Sequence, residues 1–244
     1  MDMFVHSTVV TLRGLSKAMI ESLKAQFDTY PLDFYSHLFL LLPVAIAGYR
    51  QKFLTPALSA VALYFGLRFV EELVFLRIAL LGKSNLNAIN AGILPDILLV
   101  GRIYYLSFKG NRFASQLTVI ATGIAFIIAI LNFLSISLTS ISWPIVRLLM
   151  IVLALTYFNR ILAENRVRKI LHHTLFWVSA GFLFYGMGTF MTSVFSEYLV
   201  RSSEKTYNVF SDMEQMISIL LSVLAALGIW VSKYENESYI QQPI

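Results

Sequence analysis

Residues 114–138, ASQLTVIATGIAFIIAILNFLSISL, contain no charged side chain and decide the class of fold. A helix needs about 20 mainly apolar residues to cross the hydrocarbon core of a bilayer, and this stretch is long enough. Comparable apolar stretches follow one another along the chain. Together they predict seven spans, at roughly 34–50, 54–81, 92–108, 114–138, 142–163, 173–198 and 209–232.

The composition of the chain also indicates a membrane protein. Hydrophobic residues make up 57% of the 244 residues and charged residues 14%, with a mean hydropathy of +0.71. Soluble domains carry about 25% charged residues. We therefore expect an all-α, polytopic membrane protein whose partner is the lipid bilayer. The net charge of +5 does not indicate nucleic-acid binding, because the basic residues lie between the spans.

Cysteine is absent from the sequence, which excludes disulfides, thiolate catalysis and cysteine-based metal sites. The residue pattern indicates no metal site and no cofactor. Two of the predicted spans are atypical. The first contains Pro43, and the second carries Arg68, Glu71, Glu72 and Arg77. The sequence therefore allows the second helix to be either straight or bent.

Residues 1–33 have a different pattern from the spans. Apolar residues recur at helical spacing, and basic residues gather on another face, which predicts an amphipathic helix in the membrane interface. The apolar set is Val5, Val9, Leu12, Met19, Leu23 and Phe27, and the basic set is Arg13, Lys17 and Lys24. The alternative is a loosely ordered leader. The predicted organisation is thus 1–33 interfacial helix, 34–232 bundle and 233–244 cytoplasmic tail.

Loop charges predict the orientation in a bacterial inner membrane. Cytoplasmic loops carry an excess of Lys and Arg. The richer set of loops holds Arg50, Lys52, Lys109, Arg112, Arg166, Arg168, Lys169 and Lys233, whereas the opposite set holds Lys83, Arg201 and Lys205. This distribution places the N-terminus outside and the C-terminus in the cytoplasm, although the basic residues before position 30 favour the reverse.

Small residues predict one helix contact. Gly188, Thr192 and Ser196 recur at every fourth position of the sixth span, and Ser218, Ser222 and Ala226 do so in the seventh. Such faces let two backbones approach closely. We therefore expect the sixth and seventh helices to be packed neighbours.

Ionisable residues within the spans are the candidate site, because charge inside the bilayer is costly and is often functional. In the predicted orientation they all fall in the outer leaflet, where they would form a polar cup around Arg147 with Trp143 and Tyr198 at its rim. The acidic members are Glu71, Glu72, Asp96, Asp212 and Glu214. We expect Glu72, Asp96 and Glu214 to approach Arg147, and Glu71 to lie nearer Arg68. The alternative is purely structural pairing, since Arg68 precedes Glu71 and Glu72 by three and four positions.

Two resemblances bear on function. Glu71 and Glu72 followed by Arg77 resemble the Glu-Glu-x-x-x-Arg signature of membrane-embedded CAAX-type proteases. Here four residues rather than three separate Glu72 from Arg77, and the late histidines His172 and His173 are adjacent. This spacing makes them a poor metal pair.

The second resemblance rests on the connection between the fifth and sixth spans. Its motifs are Tyr157-Phe158-Asn159-Arg160, Glu164 and Phe176-Trp177-x-x-x-Gly181-x-x-x-Tyr185-x-x-Gly188, and residues 85–90 lead to Asp96 in a related way. The chain here resembles a group of uncharacterised seven-helix membrane proteins of Bacteroidota. Similar bundles are fused to sensor kinases, which implies sensing.

We therefore expect a receptor-like or sensor-like module that binds a small ligand in the outer cup and signals to a separate cytoplasmic protein. A small-molecule or ion-coupled transporter and an intramembrane enzyme are the alternatives. The apolar inner halves of the third, fourth and sixth spans favour a sensor over a transporter, because a transporter needs polar residues along the whole depth.

Overall fold

The computed structural model describes residues 21, 23–134, 141–164, 170–195, 198–199 and 204–240, and this part of the chain is helical without any strand. The principal helices are α1 Pro31–Phe39, α2 Leu41–Tyr49, α3 Pro56–Leu80, α4 Leu86–Ser107, α5 Arg112–Leu134, α6 Ser142–Glu164, α7 Thr174–Val194 and α8 Glu204–Ile240. Short 3₁₀ turns lie at Gln51–Phe53 and Ile170–His172. The chain is thus an all-helical, multi-pass membrane protein by its architecture.

Six helical segments of the described chain are long and apolar enough to cross a membrane. They are Pro31–Tyr49, Leu86–Ser107, Arg112–Phe133, Ser142–Ala163, Thr174–Val194 and Asn208–Tyr234. The predicted second span forms α3, a continuous helix of 25 residues. It is not among the six, because three charged side chains, Arg68, Glu71 and Glu72, lie close together at its centre.

The first span is a helix interrupted at Leu40. Proline has no backbone N–H, and its ring clashes with the carbonyl four residues before it. For Pro43 that carbonyl belongs to Phe39, the last residue of α1. The break therefore follows from Pro43. It leaves α1 and α2 as two short helices that run over Pro31–Tyr49.

Two boundaries of the predicted organisation shift. The first span begins at Pro31, so the predicted limit of the interfacial segment at residue 33 falls inside α1. Residues 1–20 of the predicted amphipathic helix lie outside the described residues, whereas 23–29 are helical. The last helix continues to Ile240, well beyond the predicted end of the bundle at residue 232.

The helices contact one another in a closed ring. Each of α3 to α8 packs on its neighbour in sequence, α8 also packs on α1 and α2, and α4 contacts α6 across the ring. Apolar and aromatic side chains fill the centre. The largest fully buried ones include Phe65, Ile97, Tyr104, Met150, Phe182 and Ile229.

The predicted contact between the sixth and seventh spans is confirmed, because α7 and α8 pack along their lengths. A Cβ at Gly188 would lie 2.6 Å from Ile217 Cδ1, and Ser222 and Ala226 are buried. Ser196, the third residue of the predicted α7 face, lies outside the described residues. Gly228 is a close-approach site that the small-residue pattern missed, since a Cβ there would lie 2.6 Å from the carbonyl oxygen of Thr174.

Candidate functional site

A cavity of about 320 Å³ lies within one end of the ring of helices. It lies at the end where α1 begins and α3 ends. Its polar lining comes from α1, α3, α6, α7 and α8 and from residues preceding α1 and α4, and consists of Gln26, Asp33, Ser36, His37, Arg68, Glu72, Asn85, Arg147, Tyr185, Ser211, Glu214, Gln215 and Ser218. Trp143 and Tyr64 are among its aromatic lining residues.

Arg68 on α3 holds three carboxylates. Its Nη2 donates to Glu72 Oε1 at 2.8 Å, and its Nη1 donates to Glu71 Oε2 at 3.3 Å and Asp96 Oδ2 at 3.4 Å. The first two partners follow from the helix, since residues three and four apart share a face. Asp96 reaches the same guanidinium from α4, so this cluster joins two helices through charge.

Glu71 and Glu72 point in different directions because successive residues are about 100° apart on a helix. Glu72 lines the cavity. The Glu71 carboxylate lies against α4 at Gly92, where a Cβ would be 3.2 Å from Glu71 Cδ. The absence of a side chain at Gly92 therefore makes room for a buried carboxylate between α3 and α4.

His37 connects α1 to this cluster. Its Nε2 lies 3.3 Å from Glu72 Oε2 and 3.6 Å from Asp33 Oδ1. Gln215 on α8 donates from Nε2 to Asp33 Oδ1 at 2.9 Å and accepts from Ser36 Oγ. A continuous polar network thus runs from α8 through α1 and α3 to α4.

Arg147 on α6 forms a second polar group with α7 and α8. Its Nη2 lies 3.4 Å from Glu214 Oε1, and its guanidinium sits 4.2 Å from the centroid of the Tyr185 ring. The close approach of α6 and α7 depends on Gly186, because a Cβ there would lie 3.0 Å from the carbonyl oxygen of Arg147.

A smaller cavity of about 20 Å³ adjoins the larger one and shares Arg68, Trp143 and Arg147 with it. Asp96 also borders this space. Among the described residues, Asp96 Oδ1 and Arg147 Nε are buried without a hydrogen-bond partner. The volume suffices for about one water molecule.

The structure brings together most of the predicted site residues, in a different arrangement. Glu214 approaches Arg147 and Glu71 lies at Arg68, as predicted. Glu72 and Asp96, which were expected at Arg147, contact Arg68 instead. Arg68 is therefore the cation that holds the most carboxylates in the described chain.

Four predicted members do not line the larger cavity. Glu71 and Asp96 contact Arg68 outside its lining, and Asp96 borders only the smaller cavity. Asp212 is exposed, since two positions on a helix differ by about 200° and Glu214 already faces inward. The inward set on α8 is Ser211, Glu214, Gln215 and Ser218, which has helical spacing. Tyr198 is 71% exposed and does not border the cavity.

Three polar residues of the site were missed from the sequence. Asp33 and His37 lie one helical turn apart on α1, and Gln215 follows Glu214 on α8. The spacing of Asp33 and His37 was a detectable signal. The predicted limit after residue 33 separated Asp33 from His37, so the two were not considered together.

Among the described residues, no group of three or more His, Asp or Glu side chains is placed to hold a metal ion. No protein-family model, curated protein or solved structure matches the chain.

Proposed function

We propose that the chain is a receptor-like or sensor-like module of a bacterial inner membrane, related to the seven-helix proteins of Bacteroidota. A small ligand binds in the charged cavity, and α8 carries the change to a separate cytoplasmic protein. The N-terminus is outside, and the amphipathic segment lies on the external surface of that membrane before the first span. In this orientation the cavity lies in the outer half of the bundle.

The proposal includes α3 as a seventh span. Its 25 residues correspond to about 37 Å at 1.5 Å per residue, which exceeds a hydrocarbon core of about 30 Å. Its ionisable residues Arg68, Glu71 and Glu72 pair with one another and with α1 and α4. Such internal pairing is how charged side chains are accommodated within a membrane.

The observation that carries the signalling proposal is the continuity of α8. This helix lines the cavity with Glu214, Gln215 and Ser218 and continues without interruption to Ile240. At the far end, the Arg50 guanidinium lies 4.2 Å from the Trp230 ring, and His172 contacts Tyr234. A shift of α8 caused by a ligand would therefore reach the opposite membrane surface.

Aromatic packing below the cavity favours a receptor over a carrier. Tyr64 borders the cavity and contacts Phe182 with ring centroids 5.4 Å apart. Phe182 contacts Tyr104, which contacts Tyr157. These rings are buried. A carrier would have to separate them to open a path to the other side.

The carrier is the second candidate, since its substrate would use the same cavity. An intramembrane enzyme is the third. Glu72 and His37 are residue types used in acid–base catalysis and lie in contact. Arg68 holds the same carboxylate at 2.8 Å, so it engages the group that a base would need free.

Ligand screening followed by flux measurement tests the receptor proposal. Purified protein would be screened by thermal stability against small amines, amino acids and carboxylates. Every stabilising compound would then be tested in proteoliposomes for uptake and for conversion. We expect binding without either. Uptake would instead support a carrier, and a reaction product an enzyme.

The matched variants are Ser218→Trp, which fills the cavity, and Met216→Trp, which adds the same side chain on the exposed face of α8. We expect Ser218→Trp to abolish the stabilisation and Met216→Trp to retain it. If both variants bind equally, the cavity is not the ligand site.

A further inference from the structure

The charges around the cavity do not balance. Five carboxylates belong to the connected clusters, namely Asp33, Glu71, Glu72, Asp96 and Glu214. They share two guanidiniums, Arg68 and Arg147, and one imidazole, His37. With all five carboxylates ionised and His37 protonated, the clusters hold five negative and three positive charges, so the negative charge is in excess by two.

Surplus negative charge beside the low-dielectric core of the bundle is costly, and a proton or a bound cation lowers that cost. Three of the carboxylates, Asp33, Glu72 and Glu214, line the larger cavity from three different helices. The surplus is therefore presented to the cavity on several sides. A cation placed there would interact with all three walls.

An independent observation indicates a missing donor. Asp96 is only 5% exposed, and its Oδ1 has no hydrogen-bond partner among the described residues. It borders the small cavity adjoining the larger one. Arg147 Nε, a donor that also has no partner, lies beside the same space, which holds about one water molecule. Such a water would connect Asp96 to the larger cavity, where an ammonium group supplies a donor and a carboxylate does not.

The size of the site limits the ligand further. A cavity of about 320 Å³ is at the lower end of the range for small-molecule sites, about 300–1,000 Å³. We infer that the cavity binds a small organic amine in its charged form. This inference rests on the proposed function, because it names the chemical class of the ligand for the same cavity.

Three probes of similar size and different charge test the class. They are 1-butylamine, 1-butanol and butyrate, each titrated near neutral pH against purified protein in nanodiscs with calorimetry as the readout. We expect butylamine to bind at least tenfold more tightly than butanol, with butyrate the weakest. Equal binding of butylamine and butanol, preferential binding of butyrate, or no binding of butylamine would each overturn the inference.

Variants locate the charge that recognises the amine. Glu72→Gln removes a carboxylate from the cavity wall, and Asp33→Asn removes one at its edge, where the side chain is 31% exposed. The control Asp212→Asn removes an exposed carboxylate of α8 that does not border the cavity. We expect each of the first two variants to weaken butylamine binding about tenfold, and the control to bind as the unmodified protein does.

Asp33→Asn provides the answer if Glu72→Gln does not fold. Equal weakening by Asp212→Asn would mean that butylamine binds through general surface charge and would overturn the inference. Failure of the amine class is distinguishable from failure of the proposed function. A neutral or anionic compound that binds and is lost in Ser218→Trp would leave the receptor proposal in place.

Discussion

At Arg68, a single guanidinium contacts carboxylates from α3 and α4 and adjoins the His37 connection to α1. Removing one partner of a buried ion pair is strongly destabilising, because the other charge is left uncompensated. Here one substitution would leave Glu71 and Asp96 without a cation and Glu72 with His37 alone. Arg68 is therefore the residue whose loss should cost the most among the charged residues of the cavity.

We predict that Arg68→Met lowers the free energy of unfolding by about 3 kcal/mol, the lower end of the cost of breaking a buried ion pair, because the Arg68 side chain is 21% exposed. Thermal denaturation in detergent near neutral pH would measure the loss. Arg77→Met is the matched control, since Arg77 lies on the same helix and is exposed. Equal melting temperatures for the two variants would show that the carboxylates do not depend on Arg68.

The charged residues within the spans also show how much of the site the sequence could predict. Charge within an apolar span selected Glu72, Asp96, Arg147 and Glu214, which border the two cavities, because burying charge requires partners. It also selected Asp212, since hydropathy does not report which face of a helix a residue occupies. Contacts between helices, such as that of Asp96 with Arg68, depend on which helices become neighbours in the ring. No single stretch of sequence predicts this arrangement.

Among the helices, α7 and α8 form the most extensive described interface, and close approach of their backbones explains it. At Gly228, an added Cβ would meet the Thr174 carbonyl oxygen at 2.6 Å. At Gly188, it would meet the terminal methyl of Ile217 at the same distance. A flexible side chain can move, whereas a backbone carbonyl moves only with its helix.

We therefore predict that Gly228→Ala destabilises the protein by about 1–3 kcal/mol, as overpacking does, and that Gly188→Ala costs less. Gly48→Ala is the control, because no atom lies within 4 Å of a Cβ added there. Thermal melting of the three variants would measure the order. A larger loss for Gly188→Ala than for Gly228→Ala would contradict the packing described here.

The helices themselves were largely predictable, since the first predicted span coincides with α1 and α2 together, each later span coincides with one described helix, and the limits differ by a few residues at most ends. Two features were not. The limit of the predicted N-terminal segment at residue 33 was too late, because the amphipathic pattern continues into the polar start of α1. The extension of α8 to Ile240 lies beyond the apolar stretch, where hydropathy carries no signal for a helix outside the membrane.

At the scale of the whole molecule, the cavity and the basic loops lie at opposite ends of the bundle. The cavity is at the end that carries the 81–85 connection, and the loop containing Lys109 is at the other end. If cytoplasmic loops are the basic ones, the cavity faces away from the cytoplasm. The orientation of the bundle therefore determines the side of the membrane from which a ligand reaches the cavity, and one experiment tests both.

Single-cysteine labelling provides that test, because the chain contains no cysteine and each variant carries one thiol. We predict that a membrane-impermeant maleimide labels Ser84→Cys and the cavity variant Ser218→Cys in intact spheroplasts. Lys109→Cys should react only after permeabilisation, because its loop would be cytoplasmic. Ser179→Cys, at a fully buried position, should stay unlabelled in the folded protein and report any unfolding.

Labelling of Lys109→Cys but not Ser84→Cys in intact spheroplasts would mean that the orientation is the reverse of the predicted one. Labelling of Ser84→Cys without Ser218→Cys would keep the orientation and show that the cavity is closed to the outside, so that a ligand would enter only after the helices move.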